Sequence, residues 1–180
     1  MKLLACPKCH QQLHLENKTL KCENNHCYDI SKRGYINLLL NPDKATNNPG
    51  DSKESLVARK AYLNKGYYDP ILNQVITCID EFKHQDDLSI LDLGCGEGYY
   101  TQGLKKHFEN SDIYGLDISK IAIDMATRYR KDVTWLVGNS KNIPILDHSL
   151  DFICALFTVV NQDELKRALK EDGYIVHVTA

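Results

Sequence analysis

The chain has 180 residues, 43% of them hydrophobic and 26% charged, which allows one good core with a small appendage and excludes a mostly disordered protein. A formal net charge of −2 excludes attraction to nucleic acid by the molecule's overall field, so such a partner would need a local basic patch. No apolar run reaches the length of a membrane span, and Met1–Cys6 is too short for a signal peptide before a cysteine motif begins. The seven cysteines form no disulfide framework. Four stand within the first 27 residues and Cys78, Cys95 and Cys154 stand singly, which predicts a reducing cytoplasm with metal binding near the start.

Residues 1–40 read as a small metal-binding β module. Cys6-Pro-Lys-Cys9 is a turn that points two thiolates at one place. Residues 12–22 alternate apolar and polar around Glu16-Asn17-Lys18, the pattern of a hairpin. It delivers Cys22 and His26 to the first pair, so the expected zinc ligands are Cys6, Cys9, Cys22 and His26, with Cys27 as the substitute for His26. His10 and His14 are expected on the surface. A segment this short lacks the core to fold alone, so a metal is physically wanted. Residues 28–40 should finish the module as a strand or two with a turn at Gly34, where Lys32 and Arg33 could meet phosphates or simply be solvated.

Residues 41–86 read as linker and helical preface. Asn41 to Asp51 is rich in Pro, Asn, Asp and Gly, a loop and a natural domain boundary. A capping box from Asp51 to Glu54 starts a helix to about Asn64, ended by Gly66. Asp69-Pro70 opens a second, whose Ile71, Leu72, Val75, Ile76, Ile79 and Phe82 keep helical spacing and should cover a sheet. Tyr67 and Tyr68, between the helices, could roof a ligand or pack.

From residue 87 onward the pattern alternates. Strands are expected near 89–93, 112–117, 133–137, 151–156 and 174–178, with helices near 99–108, 119–130 and 161–171. Ser119 should cap the second helix, with Ile121, Ala122, Met125, Ala126 and Tyr129 on its apolar face. Gly173 should stop the last. Such alternation predicts a parallel α/β sheet of the doubly wound, Rossmann-like class, with ligands beyond the carboxyl ends of its strands. The first strand runs into Asp92-Leu-Gly94-Cys-Gly96-Glu97-Gly98, a glycine-rich turn on which a ligand can lie without meeting a Cβ. Asp117 follows about 20 residues later, where an acid can accept hydrogen bonds from both ribose hydroxyls of an adenosine. Asn139, after the third strand, could bind the adenine amino group. A dinucleotide fingerprint would put its third glycine at position 99, which is Tyr99. Instead an acid precedes the first glycine and the third comes one place early, which resembles the first motif of class I S-adenosylmethionine-dependent methyltransferases. Asp92 and Glu97 would suit a sulfonium and an ammonium and would repel a pyrophosphate.

The set as a whole is more specific. Cys6-Pro-x-Cys9, Cys22 with His26, Gly34-Tyr35-x-Asn37, Pro49-Gly-Asp-Ser52, Gly66-x-Tyr68 and Leu91 to Tyr100 together resemble the bacterial 23S rRNA (guanine-N1)-methyltransferases. The resemblance covers essentially the whole chain. It implies a zinc-binding domain that recognises RNA, followed by a methyltransferase domain from about residue 87 to 180. It implies methyl transfer from S-adenosylmethionine to N1 of one guanine in a 23S rRNA hairpin, an activity that in one branch confers macrolide resistance. It places zinc on Cys6, Cys9, Cys22 and His26 and cofactor contacts on Tyr68, Gly96 and Glu97, and makes a homodimer plausible for the complete protein. Two departures stand out. Family members continue with further strands, so this chain is expected to be truncated at its C-terminus. Leu156 to Val160 is more apolar than the family's usual proline-containing stretch. No residue stands out as the acceptor of the guanine N1 proton, and Asp147 and His148 read as solvated turn residues. Other readings are a class I methyltransferase acting on a small molecule or protein, and a cofactor- or RNA-binding fragment without catalysis.

Overall fold

A computed structural model describes residues 1–40 and 51–179, so most of the expected interdomain loop lies outside the described residues. The elements are β1 (His14–Glu16), β2 (Thr19–Lys21), β3 (Cys27–Asp29), β4 (Ile36–Asn37), α1 (Lys53–Leu63), α2 (Asp69–Phe82), β5 (Ser89–Leu93), α3 (Tyr99–His107), β6 (Asp112–Asp117), α4 (Lys120–Ala126), β7 (Thr134–Val137), β8 (Leu150–Leu156), α5 (Gln162–Ala168) and β9 (Leu169–Val178).

Two sheets form. β1, β2 and β3 make a small antiparallel sheet, and its first hairpin turns at Asn17 (φ +59°) and Lys18, as the alternation predicts. The other six strands form one parallel sheet in the order β4-β7-β6-β5-β8-β9. Strand order reverses around β5, with β6 on one side and β8 on the other, so a crevice opens beyond the carboxyl end of β5. This is the expected Rossmann-like class, and each of the five anticipated strands is present.

The sheet's two faces bury different sets of side chains. One face packs Val75 and Ile79 of α2, Leu104 of α3, and Ile123 and Ala126 of α4 against Ile90, Ile113, Trp135 and Phe152. The other packs Leu165 and Ala168 of α5, together with Leu4, Leu13 and Leu20 of the N-terminal module, against Leu91, Tyr114, Leu136 and Ile153. The segment between β7 and β8 carries no helix. There the module takes a helix's place: the Ala5 amide donates to the Pro144 carbonyl at 3.0 Å and the Leu146 amide to the Leu3 carbonyl at 2.8 Å.

Several local expectations change. The turn at Gly34 forms as expected, with Ile36 bridged antiparallel to Ile30, but the strand that follows joins the large sheet rather than finishing the small one. After the turn at Gly34 (φ +94°), Ile36 and Asn37 pair with Leu136 and Val137, making β4 an edge strand of the large sheet. The cap of α1 is Ser52, whose hydroxyl accepts from the Ser55 amide, and not Asp51. Helix α4 keeps its Ser119 cap but stops at Ala126, where the Thr127 hydroxyl turns back to the Asp124 carbonyl. Tyr129 is therefore exposed, with the Lys60 ammonium 3.4 Å over its ring. Helix α5 ends at Ala168, because Leu169 already pairs with Leu150. Gly173 sits inside β9, where a Cβ would lie 2.9 Å from the Leu150 carbonyl.

Candidate cofactor site and metal centre

The cysteine-rich end of the small sheet forms one cluster. One ligand atom from each of Cys6, Cys9, Cys22 and His26 lies within 4.8 Å of all the others. Cys9 Sγ to Cys22 Sγ is 3.6 Å, and His26 Nδ1 lies 3.4 Å from Cys6 Sγ and 3.5 Å from Cys22 Sγ. Tetrahedral zinc with sulfur bonds of about 2.3 Å needs edges of about 3.8 Å, so the side chains are already spaced for the ion. The Gln11 backbone N–H pulls the Cys9 thiol down to about 6, toward the thiolate a metal requires. The Tyr28 hydroxyl, 3.3 Å from Cys6 Sγ, can donate to that sulfur. Cys27 is exposed and points to the Asn25 carbonyl, so it does not replace His26; His10 and His14 are on the surface.

The glycine-rich turn follows β5. Gly94, Gly96 and Gly98 have φ of +73°, +55° and +87°, conformations that side chains rarely adopt. Their surroundings differ. A Cβ on Gly98 would lie 2.6 Å from the Trp135 ring, so that glycine serves packing. A Cβ on Gly94 would lie 2.4 Å from Thr158 Oγ1. Gly96 faces open space, with only an Arg59 nitrogen at 3.9 Å.

Two cavities meet at Gly94. The larger, about 240 Å³, is lined by Tyr68, Gly96, Glu97 and Tyr100, with Arg59 and Phe157 at its wall. The smaller, about 120 Å³, is lined by Asp117, Gly138, Asn139 and Thr158. Of the residues expected to hold a cofactor, Tyr68, Gly94, Gly96, Glu97, Asp117 and Asn139 thus converge. Asp92 and Gly98 lie beneath the turn and line neither cavity. Asp92 is 1% exposed and accepts from the Thr101 hydroxyl at 2.5 Å, a partner with no motif to announce it. Arg59 also escapes a motif reading, because its segment has no glycine or acid signature, whereas Phe157 and Thr158 belong to the segment after Leu156, at a strand's carboxyl end where the sheet pattern places ligands.

Hydrogen bonds hold the acids in place. Asp117 Oδ2 accepts the Gly96 amide at 2.9 Å and its Oδ1 accepts the Ser119 amide at 2.8 Å, tying the end of β6 to the turn. Burial pushes Asp92 up to about 7 and raises Glu97 and Asp117 as well, and Asp117 and Glu97 lift Asp92 further. Three crowded carboxylates favour an entering cation, which would relieve their mutual repulsion. The Tyr100 hydroxyl in the larger cavity is buried with no hydrogen-bond partner among the described residues. An orphaned donor, an uncovered Gly96 and a carboxylate cluster fit a ligand with a sulfonium and an ammonium. Asp147 pairs with Arg167 at 2.6 Å in the exposed turn before β8, away from both cavities.

Similarities to known proteins follow the same division. Residues 4–45 match the zinc-ribbon family model described as RlmA, N-terminal, and residues 90–173 match one described as Methyltransferase domain. A 23S rRNA (guanine(748)-N(1))-methyltransferase from Streptomyces fradiae is 29% identical over 99% of this chain. A putative 23S rRNA (guanine-N(1)-)-methyltransferase from Bacillus subtilis (strain 168) is 30% identical over 98%. The chain spans 64% of the length of each of these relatives. Among solved structures, a putative S-adenosyl-L-methionine-dependent methyltransferase from Methanococcus maripaludis superposes with a TM-score of 0.57 at 23% identity, over 71% of this chain and 67% of that one, a likeness of fold. Among the described residues no helix is long and apolar enough to cross a membrane.

Proposed function

Because an RlmA-type zinc ribbon match precedes a methyltransferase-domain match and 23S rRNA (guanine-N1)-methyltransferases are similar along nearly the whole chain, we propose that it belongs with them and serves methyl transfer from S-adenosylmethionine to N1 of a guanine in a 23S rRNA hairpin. The observation that carries this is one of extent: similarity to the rRNA enzymes runs through the ribbon and the large sheet alike.

Each residue's role follows from its place. Asp117 and Asn139, in the smaller cavity, hold the ribose and adenine. Glu97, Tyr68 and the unpartnered Tyr100 hydroxyl hold the amino-acid end in the larger one, and Gly96 leaves room between. Asp92 acts from beneath by fixing the turn through Thr101. Bound there, the cofactor supplies an electrophilic methyl group on a sulfonium. An extruded guanine can stack on the aromatic wall of Tyr68 and Phe157, whose ring centres lie 6.1 Å apart. Zinc is structural, because four protein ligands leave no open position. The protein is cytoplasmic, as its substrate requires.

The test joins binding to product. Calorimetric titration of the zinc-loaded chain with S-adenosylmethionine should give a one-to-one isotherm that NAD does not. With labelled cofactor and a transcribed 23S hairpin, label should enter the RNA, and reverse transcription should stop at one guanine, because methylated N1 cannot pair. Cofactor binding with label appearing only in protein or small molecules would overturn the RNA assignment. NAD binding in place of S-adenosylmethionine would overturn the methyltransferase assignment.

A further inference from the structure

A third cavity, of about 420 Å³, lies away from the cofactor site. Five cationic residues line it: Lys18 from the hairpin turn, Lys32 and Arg33 from the turn before β4, and Arg130 and Lys131 from the segment before β7. The Trp135 ring forms part of its floor. Two of the cations are held in place. Arg33 Nε pairs with Asp124 at 2.9 Å, and the Arg130 guanidinium bonds both carboxylate oxygens of Asp132 at 2.8 and 2.6 Å. Lys18, Lys32 and Lys131 are exposed, and their ammonium groups make no hydrogen bond or ion pair among the described residues. In a chain of net charge −2, five cations lining one concavity, two of them paired with Asp124 and Asp132, make a local reversal of sign. Its volume falls within the range of ligand pockets.

The position matters as much as the charge. Arg130, Lys131 and Lys32 precede their strands, whereas Gly94, Asp117 and Asn139 lie at or past the carboxyl ends. A four-residue strand such as β7 is about 13 Å long, so the groove sits roughly one strand-length from the cofactor loop. Both the ribbon and the large domain contribute walls, so the groove exists only because the two are packed together.

We propose that this groove binds the phosphodiester backbone of the RNA strand whose guanine enters the cofactor site. Lysine ammonium groups act as point charges toward phosphate, and such contacts set register without reading bases. The inference rests on the rRNA reading above, which also favours RNA over an acidic protein surface.

The test compares two charge-reversed proteins with the wild type, all zinc-loaded. One carries K18E, K32E and K131E. The other carries K2E, K106E and K166E, three exposed lysines elsewhere, and changes the net charge equally. Binding of a labelled 23S hairpin is followed by fluorescence anisotropy from about 50 to 200 mM salt, with S-adenosylmethionine affinity measured alongside. The groove variant should bind the hairpin at least about tenfold more weakly. Its plot of log K against log salt should be shallower by about two to three, near 0.9 per phosphate lost. The other variant should stay close to wild type, and cofactor affinity should be the same in all three. A groove variant that binds RNA as wild type does, or two variants equally weakened, would overturn the proposal while leaving the methyltransferase reading intact. Displacement of RNA by polyglutamate at equal charge would point to an acidic protein instead and overturn it. A wild-type protein that binds no RNA would overturn this proposal and the rRNA assignment together.

Discussion

Asp92 illustrates how burial and a single neighbour set the behaviour of a residue. It sits in the central strand between buried apolar side chains, and desolvation lifts its carboxyl to about 7. The unfolded chain would hold it near 3.8. Between these values the folded state binds more protons than the unfolded one, so stability falls as pH rises. The contribution is fully present below about pH 4 and is lost through pH 7. Asp92→Asn keeps an acceptor for the Thr101 hydroxyl and removes the charge. Relative to this variant, the wild type should lose stability between about pH 4 and 7, by an amount approaching about 4 kcal/mol, and level off above that. Urea unfolding of both proteins across that range measures the difference. Parallel pH profiles would mean that Asp92 ionises without penalty. S-adenosylmethionine, as a cation near the three acids, should narrow the gap between the two proteins.

At the scale of elements, the zinc ribbon is the part with least support of its own. Its turns close on the ligands: the Cys22 amide donates to the His26 carbonyl at 3.1 Å, and the His10 amide to the Cys6 carbonyl at 2.8 Å. Removing zinc with a chelator should therefore collapse hydrogen-exchange protection at the His10 and Cys22 amides. The Leu146 amide, which donates to Leu3 across the module boundary, should lose part of its protection. Amides of β5 and β6 should keep theirs. Unchanged exchange at His10 and Cys22 would show that the hairpin holds without metal. The elements also show where sequence reasoning reaches. Strands β5 to β8 were legible because each is a run of apolar residues buried on both faces, and the ribbon ligands because spacing alone brings them together. β4 was not: two residues carry no periodicity, and its partner Val137 lies 100 positions further on. Gly173 resembled a helix stop because a glycine in a bulged strand looks the same in sequence as one after a helix. Of the cofactor site, the glycines, Glu97, Asp117 and Asn139 could be read from the turn and the strand ends. Thr158 could be read only as part of the segment after Leu156, and Arg59 could not, since only folding brings it to Gly96.

At the scale of the molecule, the core on one face of the large sheet crosses the boundary between ribbon and methyltransferase fold. Leu4 is fully buried in the same cluster as Leu91, Leu136 and Ile145. The ribbon thus covers a sheet face that a crossover helix would otherwise fill, and the sheet lends the ribbon the hydrophobic burial that its short length cannot provide. The metal-loaded protein should accordingly unfold as a unit. Cobalt in place of zinc gives an absorption band that reports the ribbon, and Trp135, the only tryptophan, reports the large sheet. In urea the two signals should share one midpoint. Leu4→Ala removes a buried side chain at the seam and should cost about 2–5 kcal/mol, moving both midpoints down together. If the cobalt signal were lost first in the wild type, or if Leu4→Ala shifted that signal alone, the ribbon would be an independent unit. The basic groove, walled by both parts, would then have no fixed shape. Coincident transitions would instead mean that fixing the ribbon on the sheet also fixes the distance between the groove and the cofactor loop, which is the spacing an RNA strand would have to match.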